Sequence, residues 1–210
     1  MRDQIKRYWS ELADVTYNMP YALMEQAAEM LLDCQRRGGT IFVFGNGGSA
    51  ATASHFACDL AKGTRTNDLP TFRVVALTDN VPLLTAWGND TSYERVFAEQ
   101  LVALARPGDL VFAISASGNS PNVLEAVAAA RLADVTIVSL TGRTGGQLFA
   151  LSDLAICVPS DSIEQVEDAH LIIAHSLCVA MREYLRAATL PPAQYARSLA
   201  GHTTTINIEG

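Results

Sequence analysis

Two turns rich in glycine and serine do most to constrain the fold of this 210-residue chain. The first, Gly45–Ala50, follows the apolar run Thr40–Phe44, and the second, Ser115–Ser120, follows Leu110–Ile114. Each turn leads into a stretch with helical periodicity. A strand that passes through a tight turn into a helix is the repeating unit of a parallel sheet. Both turns are therefore expected at the carboxyl edge of one sheet, where such folds bind ligands.

Short apolar runs rich in Val, Ile, Leu and Phe predict the strands, and their near-continuous character is typical of strands covered on both faces. The predicted strands are 40–44, 73–77, 110–114, 135–139 and 154–158. Helical patterns occupy 3–18, 20–38, 49–62, 81–105 with a break near 88–90, 120–132, 145–151 and 164–187. This alternation predicts an α/β fold with a doubly wound parallel sheet.

Length and charge narrow the class of protein. We expect a single domain over 1–190, followed by a polar tail over 191–210 that begins at a Pro-Pro pair and could lie on a partner subunit. The net charge of −7 makes nucleic acid an unlikely main partner. The N-terminus is polar, and no apolar stretch approaches the ~20 residues of a membrane span, so we expect a cytoplasmic protein without a membrane segment.

The two turns predict a site for a phosphorylated small molecule. The start of a helix has unpaired backbone N–H groups and a partial positive charge, so it attracts anions. Ser115, Ser117 and Ser120 add three hydroxyl donors within six residues, while Asn46 and Ser49 suit sugar hydroxyls or phosphate. The first turn also fits the dinucleotide pattern G-x-G-x-x-A. That alternative is weaker, because the nearest acidic residue for a ribose, Asp79, lies further along the chain than usual.

Ionisable side chains recur at helical spacing in two places. His55 and Asp59 are four residues apart on the helix after the first turn, so they share a face. Glu167 and His175 lie about 80° apart around the last helix, whereas Asp168 is almost in line with His175. Two imidazoles and two carboxylates suit a divalent metal such as zinc, and they suit general acid–base catalysis equally well.

These stretches resemble the sugar isomerase (SIS) domain family, and more closely its phosphoheptose isomerases. The similarity runs over about 5–187. It rests on Gly45–Ala50 with His55–Ala57, Gly88–Asp90, Ser115–Asn122, Leu140–Gly142 with Gly145–Gly146, and Glu167–His175. Glycine–serine turns alone indicate only the SIS family, while the positions of His55 and His175 indicate the isomerases.

The resemblance implies a flavodoxin-like three-layer sandwich, a homotetramer, and active sites between subunits. It implies catalytic roles for Asp59, Glu167 and His175, and a zinc site formed by these three residues with His55. The implied substrate contacts are Asn46, Gly47, Gly48, Ser49, Asn89, Asp90, Ser115, Ala116, Ser117 and Ser120.

Three positions depart from the usual pattern of the family. Asp59 replaces a glutamate, Glu167 replaces a glutamine, and Ala116 replaces a threonine. Because Asp59 is one methylene shorter than glutamate, a base there must reach differently, and Glu167 could restore the carboxylate. Either residue therefore stands as the candidate base.

The implied reaction converts sedoheptulose 7-phosphate to D-glycero-D-manno-heptose 7-phosphate through an enediol. Two alternatives stay open from the sequence. One is an isomerase of another phosphosugar, suggested by the changes at Asp59 and Glu167. The other is a non-catalytic SIS tetramer that binds a protein such as the replication initiator. The known relative with that role lacks a histidine at the position of His175, so His175 favours an enzyme.

Overall fold

The computed structural model describes residues 1–67 and 69–189. Its helices are α1 (Arg2–Tyr17), α2 (Tyr21–Arg36), α3 (Gly48–Cys58), α4 (Val81–Asp90), α5 (Ala98–Leu104), α6 (Pro121–Leu132), α7 (Gly146–Leu151) and α8 (Ile163–Thr189). Its strands are β1 (Thr40–Phe44), β2 (Arg73–Ala76), β3 (Leu110–Ser115), β4 (Thr136–Thr141) and β5 (Leu154–Cys157). The predicted tail over 191–210 lies outside the described residues, so the boundary at 190 stays a prediction.

The strands form one parallel sheet in the order β2-β1-β3-β4-β5. Strand β1 pairs with β3 in a register that places Ile41 beside Leu110 and Phe44 beside Ala113. The chain therefore moves out from β1 to β2 and then crosses back to β3, so the winding direction reverses between β1 and β3. This confirms the predicted α/β fold and places both turns at adjacent strand ends, the usual location of a ligand site.

The sheet separates two hydrophobic cores. Alternate residues of a strand point to opposite faces, so Ile41 and Val43 lie in one core while Phe42 and Phe44 lie in the other. Helices α2, α3 and α8 cover the first core together with the end of α1. Helices α5, α6 and α7 cover the second, and Leu84 and Trp87 of α4 pack at its edge. The result is a three-layer sandwich.

Strand β4 runs two residues further than the predicted 135–139, to Thr141. Its last residues are polar although the strand is buried. Ser139 and Thr141 are both fully buried. The Ser152 hydroxyl donates to Ser139 Oγ at 2.7 Å, and Thr141 Oγ1 donates to Cys157 Sγ at 3.3 Å. Each buried hydroxyl has a partner, so the strand can continue to the turn at Gly142.

Two predicted helices also have different limits in the structure. The helix predicted over 49–62 ends as an α-helix at Cys58 and widens into a π-helical turn over Asp59–Gly63. The break predicted near 88–90 lies further on, because α4 continues through Asp90 and a short 3-10 turn follows at Tyr93–Arg95. Within the described part of the chain, none of these helices combines the length and apolarity that crossing a bilayer requires.

His170 of α8 makes stability depend on pH. Its side chain is 1% exposed, Nε2 contacts the Thr141 carbonyl at 3.2 Å, and Nδ1 has no partner. Burial lowers the pKa of His170 from 6.5 to about 4. The unfolded chain therefore takes up a proton in a pH range where the folded protein does not. Below pH ~6.5 this uptake stabilises the unfolded state.

We expect the free energy of unfolding to fall by roughly 3 kcal/mol on this account as pH drops from 6.5 to about 4. His170→Gln keeps an amide donor for Thr141 and removes the titrating group, so its stability should fall less over the same range. Urea unfolding of both proteins at neutral pH and at about pH 5 measures the difference. An equal loss in the two proteins would contradict the assignment.

Candidate functional site

The first turn brings backbone N–H groups and a carboxylate to the same place. Gly47 adopts a φ of 56°, which allows α3 to begin at Gly48 directly after β1. Ser49 is buried and Asn46 is half-buried beside it. The carboxylate of Glu167 lies so close to Gly48 that a Cβ there would be 2.6 Å from both oxygens. Glu167 is thus near the positive end of α3, where a negative charge is stabilised.

The second turn gathers its serine hydroxyls as the sequence predicts. Ser115 Oγ lies 3.1 Å from Ser120 Oγ and 3.5 Å from Ser117 Oγ. Ser115 is buried at the end of β3, and Ser120 is the residue before α6. Three hydroxyls at the start of a helix can donate to the oxygens of one phosphate group.

Close packing against the next loop holds this second turn in shape. The carbonyl of Gly118 accepts from Leu148 N at 3.0 Å, and the Asn119 side chain accepts from Gln147 N at 3.0 Å. Ala116, half-buried, accepts through its carbonyl from Gly142 N at 2.9 Å. The loops after β3 and β4 therefore support each other at the carboxyl edge of the sheet.

Three side chains converge between α3 and α8. His55 Nε2 and His175 Nε2 are 2.9 Å apart, and Asp59 Oδ2 lies 3.4 Å from the first and 3.7 Å from the second. Their side chains are half-exposed or less, at 48%, 47% and 33% for His55, His175 and Asp59. The predicted pairing of His55 with Asp59 is present, and His175 joins it from a helix more than a hundred residues later.

This cluster fits a divalent metal ion. Ligand atoms at about 2.0 Å in tetrahedral geometry around zinc are separated by ~3.3 Å, close to the three distances observed. Two imidazole nitrogens and one carboxylate oxygen are also donors that zinc accepts. The described residues whose donor atoms lie within 4.8 Å of one another here are His55, Asp59 and His175. Glu167, which was predicted as a fourth ligand, is not among them.

A buried thiol on the same helix as His175 has a raised pKa. Cys178 lies one helical turn beyond His175 and is 4% exposed. Burial, and to a lesser extent the negative charge of Asp59, raises the pKa of Cys178 to about 12. A neutral thiol is a poor metal ligand, so the chemistry of the cluster rests on the imidazoles and the carboxylate.

Helices α3 and α8 run side by side in the same direction, which decides between two candidate carboxylates. Glu167 meets Gly48, and His175 meets His55 about two turns further along both helices. Asp168, which spacing alone favours, faces α1 instead and accepts a hydrogen bond from Tyr8 at 2.6 Å. That bond raises the pKa of Tyr8 to about 12. Glu167 therefore belongs to the groove between α3 and α8, and Asp168 anchors the N-terminal helix.

Some predicted contacts lie away from this groove within one chain. Asn89 and Asp90 are exposed in the last turn of α4, on the other side of the sheet, and hydrogen bond to each other at 2.8 Å. Asp79, the acidic residue of the dinucleotide alternative, accepts a hydrogen bond from Ser54 instead.

Sequence reasoning missed Asn122, which links the two turns by accepting a hydrogen bond from Asn46 at 2.9 Å. The available signal was its position as the second residue of α6, directly after Ser120 and Pro121.

Comparisons with known proteins identify the family and the fold of the chain. A model of the SIS domain matches residues 5–142. A phosphoheptose isomerase of Shewanella loihica is 42% identical over 74% of this chain and 80% of its own length. The chain belongs to the SIS domain family, in its phosphoheptose isomerase branch. A second such isomerase, from Thiobacillus denitrificans, is 43% identical over 77% of this chain and 83% of its own length.

A solved structure of a phosphoheptose isomerase from Neisseria gonorrhoeae has the same fold. It superposes with a TM-score of 0.80 at 35% identity, covering 86% of this chain and 97% of that one. The family and the fold predicted from the sequence are therefore both confirmed.

Two glycines of the site should respond differently to the same substitution. Gly48→Ala pushes only against the flexible end of Glu167, so we expect little change in the melting temperature. Gly118→Ala places a methyl 2.0 Å from the Gly145 carbonyl, at a φ of +65°. Because a backbone atom cannot move aside cheaply, this variant should lose about 2 kcal/mol or more.

Thermal unfolding of the two variants beside the parent protein measures the contrast. A Gly48→Ala protein that is destabilised as strongly as Gly118→Ala would contradict the claim that the end of the Glu167 side chain can move aside.

Proposed function

We propose that this protein is a ketose–aldose isomerase that interconverts sedoheptulose 7-phosphate and D-glycero-D-manno-heptose 7-phosphate. The phosphoheptose isomerase relatives bear out the isomerase predicted from the sequence. The observation that carries the proposal is the cluster of His55, Asp59 and His175, in the groove that begins at the first turn. That groove supplies acid and base groups near a site for the phosphate.

The phosphate is assigned to the second turn. Ser115, Ser117 and Ser120 present hydroxyls that converge within 3.5 Å, beside the first turn of α6. Asn46, Gly47, Gly48 and Ser49 of the first turn, together with Ala116 of the second, would contact the rest of the sugar. Binding the phosphate away from the reacting carbons positions the substrate and lowers the entropic cost of the reaction.

A carboxylate and an imidazole account for the proton transfers. The carboxylate of Asp59 or Glu167 removes a proton from C1 while His175 donates one to the oxygen on C2, which gives the enediol. His175 then takes the proton from the oxygen on C1, and the carboxylate returns its proton to C2. Both groups end in their starting state, so the cycle is balanced. Either carboxylate fits: Asp59 lies in the cluster, and Glu167 lies at the start of α3.

As an alternative role, the cluster would hold zinc through His55, Asp59 and His175, with Glu167 as a further ligand if its side chain swings towards them; a His175 nitrogen that binds zinc would not carry the transferred proton. Zinc would polarise the substrate carbonyl and stabilise the negative charge of the enediolate.

The assembly is proposed to be a homotetramer in the cytoplasm, with active sites between subunits. Two observations support a shared site. The cluster is about half-exposed in one chain, and Asn89 and Asp90 lie in the opposite helical layer. Exposed apolar side chains on α1, Ile5 at 56% and Trp9 at 67%, offer a surface for a second copy. Light scattering measures the mass of the assembly directly.

A second candidate is an isomerase of a different phosphosugar. Glu167 favours it, because Glu167 lies beside the first turn. A carboxylate only accepts hydrogen bonds, whereas the amide of the usual glutamine also donates, so the first turn would bind a different set of sugar hydroxyls. Testing a panel of ketose phosphates in the same assay separates the two candidates.

His175→Ala should abolish turnover, with kcat at least ~1,000-fold lower, because it removes the acid–base imidazole and one metal ligand. The matched control is Ser176→Ala, since that hydroxyl bonds only within α8, to the Ile173 carbonyl. The control should keep both activity and zinc. Aldose formation followed by NMR, and zinc content after dialysis, are the two measurements.

The proposed role of His175 fails if His175→Ala, folded and with the mass of the parent, turns over normally. Loss of activity with full zinc retention would assign His175 to acid–base chemistry alone.

A further inference from the structure

Asn122 joins the two turns of the site. It is the second residue of α6 and is only 1% exposed. Its side-chain oxygen accepts a hydrogen bond from Asn46 Nδ2 at 2.9 Å. Asn46 follows β1 and Asn122 follows β3, so this bond connects the ends of the two adjacent central strands.

The other half of the same amide has no partner. Among the described residues, the buried side-chain atoms without a hydrogen bond are Asn122 Nδ2, His170 Nδ1 and Arg182 Nε. Buried donors are nearly always paired, because burying one unpaired costs stability. The nitrogen and oxygen of an amide share one carbon, so the unpaired nitrogen lies next to the oxygen that accepts from Asn46.

Helix formation does not explain an asparagine at this position. Pro121 occupies the first position of α6 and Ser120 precedes the helix, so the start of α6 already has its usual residues. Asparagine is a poor helix former in itself. The bond to Asn46 accounts for the amide oxygen. The amide nitrogen has no such role, so we look for its partner outside the unliganded fold.

We propose that Asn122 is a substrate-binding residue: its oxygen fixes Asn46, and its nitrogen donates to an oxygen of the phosphosugar between the turns. This inference rests on the proposed function in one respect, which is that it takes a phosphosugar as the ligand. The acceptor is either a phosphate oxygen or a sugar hydroxyl. When the ligand binds, the orphaned donor gains its partner in a site from which water is excluded.

Asn122→Asp removes the donor and adds a negative charge, so it is compared with the uncharged variant Asn122→Leu. The carboxylate keeps an oxygen for Asn46, replaces the free donor by an acceptor, and repels phosphate. At the start of α6 its charge is favourable to the helix, but its burial is costly, so we expect only a small change in the melting temperature. KM for the phosphosugar should rise about tenfold or more, with a smaller change in kcat.

The matched control is Gln100→Glu, the same chemical change at another buried amide. Gln100 is 4% exposed, and its nitrogen donates to the carbonyls of Leu77 at 3.1 Å and Val96 at 2.9 Å. Since this change breaks satisfied bonds in α5, which contributes no residue to either turn, it should lower the melting temperature and leave KM unchanged.

Asn122→Leu is a second variant, in which both amide groups disappear. Because the bond to Asn46 is lost as well, it should be less stable than the parent by about 1 kcal/mol, and it should still show the raised KM. The inference is overturned if Asn122→Asp and Asn122→Leu both keep the parent KM, or if they lose stability without a change in KM.

A binding measurement separates this inference from the isomerase proposal. The rise in melting temperature caused by sedoheptulose 7-phosphate, unphosphorylated sedoheptulose or inorganic phosphate is compared in parent and variants. If the phosphosugar stabilises the parent protein but is not turned over, the isomerase proposal is contradicted. The inference about Asn122 still holds in that case if Asn122→Asp loses the stabilisation. In Asn122→Leu, which adds no charge, a loss seen also with inorganic phosphate assigns the acceptor to the phosphate, and a loss seen only with the sugars assigns it to a hydroxyl.

Discussion

The parallel pairing of β1 with β3 is the constraint on which the rest of this site depends. It sets the ends of the two strands side by side, with Phe44 beside Ala113. Each strand then opens into a helix, and both helix N-termini face the same space at the edge of the sheet. In the proposed function the two turns act together: one supplies hydroxyls for the phosphate, and the other supplies backbone and amide groups for the sugar.

The packing of α3 against α8 adds the chemistry to this binding site. The two helices run in the same direction, so one groove carries Glu167 beside Gly48 at its start and His175 beside His55 further along. In the proposed function, the phosphate end of the substrate binds at the edge of the sheet while its other end reaches the imidazoles and Asp59. The half-exposure of that cluster in one chain agrees with a site completed by a neighbouring copy.

Much of this fold could be predicted because local patterns determine it: apolar runs gave the strands, and serine clusters gave the second turn. The paired carboxylates could not be assigned that way. Spacing along α8 favours Asp168, but only the position of α3 and α1 decides that Glu167 faces the groove and Asp168 faces Tyr8. The end of β4 at Thr141 and the bond made by Asn122 were missed for a related reason, since their polar groups depend on partners distant in sequence.

The central claim, proton transfer between C1 and C2 through an enediol, is tested most directly by NMR in deuterated water. The protein is incubated with sedoheptulose 7-phosphate, with and without zinc. A carboxylate base in a half-exposed groove exchanges its proton with solvent, so the account predicts an aldose product that carries deuterium at C2. A folded protein that yields neither product nor exchange at C1 of the ketose would contradict isomerase chemistry. Product that retains its original hydrogen in full would contradict the enediol route.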